Sequence, residues 1–205
     1  MTGLPVIGKK YHKTVSPPID DPLAVLEALA QARDILLALN DFLPEWLWDR
    51  LLQCPGQGKE VIIFFDSFRD VDYLEALHQA KARLFEAVIP KSSFLILDRD
   101  IGWQVPSLRQ LVDPFSLSCR LLWSRMGAVV SVQGTVAERH ENFIRLHQGG
   151  GHYLWLCLGD VPTPAGLQPD TDILVLGIYS FLGSWHNPIV SPLKIVIEEA
   201  NMSLP

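Results

Sequence analysis

The stretch that most constrains this chain lies between Gly127 and Glu199. There Val130, Val132, Gly134 and Val136 alternate with Ser131, Gln133 and Thr135. A period of two is the signature of a strand with one buried face. Gly134 in mid-strand predicts a bulge or sharp bend. After the turn His140-Glu141-Asn142, residues 142–146 predict a returning strand, and Gly149-Gly150-Gly151 predicts the next turn. Then His152, Leu154, Leu156 and Leu158 alternate with Tyr153, Trp155 and Cys157. Pro162, Pro164 and Gly166 make a loop, and residues 172–179 predict a fourth strand with Gly177 repeating the mid-strand glycine. A long polar loop, 183–192, carries Trp185 and His186 before a fifth strand at 193–198. Short bent strands in this number are expected to close as a small β-barrel.

Upstream, the pattern is mixed. Residues 1–19 contain Gly3, Pro5, Gly8, Pro17 and Pro18 and are expected to form a flexible arm, with Lys9, Lys10 and Lys13 as its basic cluster. Asp20-Asp21-Pro22 is a helix start, since an Asp caps free N–H groups and Pro fits the first turn. Leu23, Leu26, Leu29, Ala30 and Leu37 recur at helical spacing, which predicts one helix ending near Asn40. A short helix is expected after Pro44, with Trp46 and Trp48 packed on the first. Residues 60–65 and 93–97 read as buried strands, joined by a helix predicted over 70–88. One or two helical turns are expected between Pro106 and Asp113, and Pro114 marks a boundary.

Composition narrows the function. The net charge of −6 argues against non-specific attraction to duplex phosphates. A local groove can still bind single strands, because stacking does not depend on global charge. Cys54, Cys119 and Cys157 are odd in number and form no metal-binding or CxxC pattern, which predicts buried thiols in a reduced, intracellular setting. The N-terminal residues lack the apolar run of a signal peptide, and no apolar run reaches the ~20 residues of a membrane span. The chain is therefore expected to be soluble, in cytoplasm or nucleus, without a membrane partner.

The strand order of the C-terminal half resembles the OB-fold, the oligonucleotide/oligosaccharide-binding β-barrel: a Val-x-Val-x-Gly-x-Val opening, a hairpin into strand three, a connection and a closing hairpin. The helix that many such barrels carry between strands three and four is replaced here by the proline loop. The resemblance implies an α+β chain: an N-terminal helical and α/β segment with a C-terminal five-stranded OB-like β-barrel. It is divided into an arm at 1–19, a helical and α/β module at 20–114, and the barrel at 115–205. Single strands bind OB-folds across strands two and three and the flanking loops. Carried onto this chain, that site comprises Arg139, Phe143, Arg145, Tyr153, Trp155 and Trp185. Aromatic faces stack on bases and arginine adds charge. Tyr and Trp on a sheet face serve equally well as a packing or partner interface.

Other constellations are weaker. His140, His147 and His152 lie near Glu141, but their spacing matches no zinc pattern, so no metal is expected. Asp66, Asp98 and Asp100 each follow an expected strand, where α/β folds place magnesium sites, with Lys59 or Lys91 as a companion cation. No P-loop or nucleophile elbow accompanies them. The leading expectation is a non-enzymatic, nucleic-acid-associated subunit or adaptor without cofactors, binding single strands directly or via a partner, and working with a protein partner or as a homo-oligomer. One alternative is a protein–protein scaffold subunit with no nucleic-acid contact. Another is a metal-dependent nuclease or hydrolase built on the three aspartates.

Overall fold

The computed structural model describes residues 21–66, 68, 70–180 and 189–198. The expected arm at 1–19 and the site candidate Trp185 lie outside the described residues. Helix α1 (Pro22–Gln31) starts as the sequence dictates: Asp21 accepts the Leu23 N–H at 2.8 Å. It does not continue to Asn40. Lys59 Nζ donates to the Leu29 and Ala30 carbonyls at 2.7 and 2.6 Å, taking acceptors that a further helical turn would need. The chain then enters strand β1 (Asp34–Leu39), buried from Ile35 onward. The apolar run 35–39 is buried on both faces of a sheet, so it carries no helical stripe.

Helix α2 (Glu45–Gln53) and a single 3-10 turn (Pro55–Gln57) lead to strand β2 (Glu60–Phe65), which runs parallel to β1. Helix α3 (Val71–Gln79) is capped by Asp70, which accepts the Tyr73 N–H at 2.9 Å. Trp48 stacks on Tyr73 with ring centres 3.9 Å apart, so it packs against α3 where α1 was expected. The predicted helix to Val88 also stops early. Lys81 takes a left-handed φ of 69°, and strand β3 (Arg83–Ala87) follows, parallel to β2.

Strand β4 (Ser93–Leu97) lies antiparallel to β1 on its other side. A tight turn at Asp98 and Arg99 returns the chain as β5 (Ile101–Val105), and a two-residue β6 (Arg109–Gln110) forms the edge. Strand pairing thus occupies the region where helical turns were expected. Helices α1 to α3 cover one face of this sheet, through Leu29, Leu47, Leu51, Leu74 and Leu77. The other face is covered by helix α4 (Pro114–Trp123), whose Leu121 packs on Leu36, Phe64 and Ile96.

Strand β7 (Arg125–Arg139) then spans two structures. Its first residues pair with β3 and extend the sheet. The remainder pairs with β8 (Phe143–His147) on one side and β10 (Asp172–Ser180) on the other. Strand β9 (Tyr153–Cys157) follows β8 antiparallel, and β11 (Ile189–Ile197) pairs parallel with β9 and antiparallel with β10. The order β7-β8-β9-β11-β10 closes back on β7. The result is a closed five-stranded barrel with OB-like strand order, and the chain is α+β, as its sequence pattern implies.

Two glycines permit the closure. A Cβ on Gly134 would stand 2.5 Å from the His147 carbonyl oxygen, so only glycine lets β7 and β8 approach there. The β10–β11 register shifts between Leu176 and Gly177, which places a bulge beside the second glycine. Val136, Ile144, Leu146, Leu154, Leu156, Val175 and Val190 fill the barrel. Leu167, from the proline loop, is fully buried among them and plugs the end that a helix covers in many such barrels. Val129, Leu176 and Ile178 from the barrel strands pack into the core under α1 to α3. Lys194 on β11 reaches Glu75 and Asp72 of α3 at 2.6 and 3.3 Å, and these two carboxylates hold its ammonium above its ordinary pKa.

Candidate functional site

Strands β8 and β9 form the part of the barrel wall that the sequence singles out. Ile144 and Leu146 point inward from β8, and Leu154 and Leu156 from β9. Alternation therefore puts Phe143, Arg145 and His147 of β8, and Tyr153, Trp155 and Cys157 of β9, on the outside. The register sets them as cross-strand pairs: Phe143 with Cys157, Arg145 with Trp155, His147 with Tyr153.

The rings touch one another. Phe143 meets Trp155 edge-on with centres 5.3 Å apart, and His140 lies against Phe143 at 4.6 Å. His147 lies against Tyr153 at 5.0 Å. The Arg145 guanidinium sits 4.1 Å above the centre of the Tyr153 ring, a cation–π contact. Glu138 on β7 holds it there, accepting from Nη1 at 2.8 Å. Glu138 also lies 3.7 Å from His140 Nε2. Phe143, Trp155, Leu156, Cys157 and Ile189 line a shallow apolar concavity of about 340 Å³. Ile189 pairs with Trp155 and begins β11 at the rim of this concavity.

Beyond His147 the outer wall turns polar. A hollow of about 350 Å³ is lined by Gln133, Thr135, His147, Asp172 and Glu198. Thr135 donates to Asp172 and Gln133 to Glu198, both at 2.6 Å. The wall therefore runs from an aromatic, arginine-bearing end to an acidic end. The positive charge at the former is already paired with Glu138.

No known protein family matches the chain, and no curated protein does. Among solved structures the chain is similar to TrmBL2, an archaeal chromatin protein whose structure shows a novel mode of DNA binding. The two are 17% identical over 47% of this chain and 44% of that one, with a TM-score of 0.33. That likeness is too slight to bear on the fold or function of this chain.

Of the residues the sequence proposed, Phe143, Arg145, Tyr153 and Trp155 come together on one surface. Arg139 stands apart. It pairs with the inward-facing Ile144, and its Nη1 donates to the Leu167 carbonyl at 2.6 Å, bracing the plug at the barrel end. Glu138, Cys157 and Ile189 belong to the surface but were not singled out. Glu138 stands opposite Arg145 only because the β7–β8 register shifts between Val136 and Glu138, a shift that no alternation signals.

The three aspartates do not share an edge. Because β4 runs antiparallel to β1 and β2, Asp98 lies at the opposite end of the sheet from Asp66. Asp98 Oδ1 accepts the backbone N–H groups of Arg33 and Asp34 at 3.0 and 2.9 Å, pinning the turn from α1 into β1. Lys59, a candidate companion cation, caps α1. This overturns the strand-end carboxylate reading. Among the described residues no three His, Cys, Asp or Glu side chains converge as a metal cage, and no helix is long and apolar enough to cross a membrane.

Proposed function

We propose that the β8–β9 face binds single-stranded nucleic acid and that the protein is a non-enzymatic, nucleic-acid-associated subunit. The observation that carries this reading is the outer wall itself. Two rings border an apolar concavity beside an arginine whose guanidinium lies over a third ring, on strands two and three of an OB-like barrel. Bases stack on Trp155, Phe143 and Tyr153, where every base offers the same π-face. Arg145 supplies the positive charge that meets a phosphate, in competition with Glu138. With one arginine in the site, few counterions are released, so affinity is modest and its salt dependence shallow. Trp185, outside the described residues, is proposed to add a further stacking ring. Arg139 contributes indirectly by holding the barrel end.

Fluorescence anisotropy with labelled single-stranded DNA and RNA, at low and moderate salt, tests the reading. Saturable binding is expected, weakening about 5- to 150-fold in Trp155→Ala, the equivalent of ~1–3 kcal/mol per stacked base. Absence of binding at low salt, or binding that Trp155→Ala leaves intact, would refute it.

A further inference from the structure

Helix α4 carries an apolar stripe that no described residue covers. Its core side is Ser118 and Leu121, both buried. Phe115, Cys119 and Trp123, each four residues apart, form a stripe along its flank that turns away from the core side towards Trp123. Phe115 is 59% exposed and Trp123 89%, and the flanking Val112 and Met126 are 89% and 53% exposed. Large apolar residues scattered singly on a surface are ordinary, but four gathered about one short helix mark an interaction surface.

The order of the residues specifies what fits it. Counted outward from Cys119, Phe115 and Trp123 stand four residues away on either side, Asp113 and Arg125 six, Val112 and Met126 seven. Two such helices laid antiparallel would set the Phe115 end of each against the Trp123 end of the other, and the Asp113 cap against Arg125 at the start of β7, the self-complementary surface that an isologous contact requires. Asp113 caps α4 through Oδ1, which accepts the Ser116 N–H at 3.0 Å. The hydrogen bonds to Ser116 hold its carboxyl below the usual range, so it is anionic. Arg125 lies over the Phe85 ring at 5.7 Å and makes no ion pair among the described residues.

We propose that α4 is a homodimer interface: two copies cross antiparallel about a two-fold axis at Cys119. Each Phe115 then meets Trp123 of the second copy, and each Asp113 meets its Arg125. This surface is separate from the β8–β9 wall and does not rest on the nucleic-acid reading.

Sedimentation equilibrium of the full chain over a range of concentrations is expected to show a monomer–dimer equilibrium. Trp123→Glu is expected to weaken it at least tenfold, and Arg125→Glu to weaken it most at low salt. In a Cys157→Ser background a short bis-maleimide should link two chains through Cys119, Cys54 being buried. The link should disappear in Cys119→Ser. Circular dichroism of Trp123→Glu should match the parent. Should that variant fail to fold, the parent's cross-linking through Cys119 decides. A chain that stays monomeric overturns the proposal and assigns the stripe to a different partner. A dimer that neither links at Cys119 nor responds to Trp123→Glu overturns it as well.

Discussion

Glu138 and Arg145 illustrate how one side chain sets another's availability. The pair is 2.8 Å long, with the arginine side chain 31% and the glutamate 46% exposed, so its own contribution to stability is small. Its effect is on the site: Glu138 orients the guanidinium over Tyr153 and also competes with a phosphate for it. Glu138→Gln is therefore expected to tighten oligonucleotide binding a few-fold and steepen its salt dependence, read by anisotropy at several salt concentrations. A second residue carries a pH signature. Burial pushes the His78 imidazole below its ordinary 6.5, with Glu75 opposing that shift only in part. A depressed histidine pKa means that the unfolded chain takes up the proton first. Stability is therefore expected to fall as pH drops below about 6.5, and His78→Gln should flatten that part of a Tm-against-pH curve.

At the scale of elements, the plug and the turns decide what holds. Leu167 fills the barrel end in place of a helix, and Leu167→Ala is expected to cost about 2–5 kcal/mol in urea denaturation. Asp98→Ala should cost about 1–3 kcal/mol, because two backbone donors lose their acceptor. The barrel strands were legible because Val130 to Val136 and Tyr153 to Leu158 alternate with period two. The first sheet was less so. Ile35 to Leu39 is a continuous apolar run, and such a run looks the same on a buried strand as on a broad helical stripe. Leu84 and Ala87 likewise fit the helical spacing of Leu74 and Leu77, while the left-handed Lys81 that separates them leaves no trace in a periodicity. On the outer wall, Phe143, Arg145, Tyr153 and Trp155 were reached through the OB-fold resemblance, and alternation alone set only Tyr153 and Trp155 on one face. The position of Arg139 was not legible, because the register shift between Val136 and Glu138 reverses the face that simple counting assigns.

For the whole molecule, the decisive element is β7, whose fifteen residues serve both sheets. Strand β7 leaves β3 and enters the barrel without a loop, and its Val129 packs under the helices. Urea unfolding followed by near-ultraviolet and far-ultraviolet circular dichroism is expected to give one coincident transition. Two separated transitions would show that barrel and sheet melt independently. A shared strand also makes the two halves report on each other. An oligonucleotide that grips β8 and β9 stabilises whatever must open before they can, so amide exchange should slow at β2 and β3, far from any base. A binder would then leave its imprint in a part of the chain that it never touches.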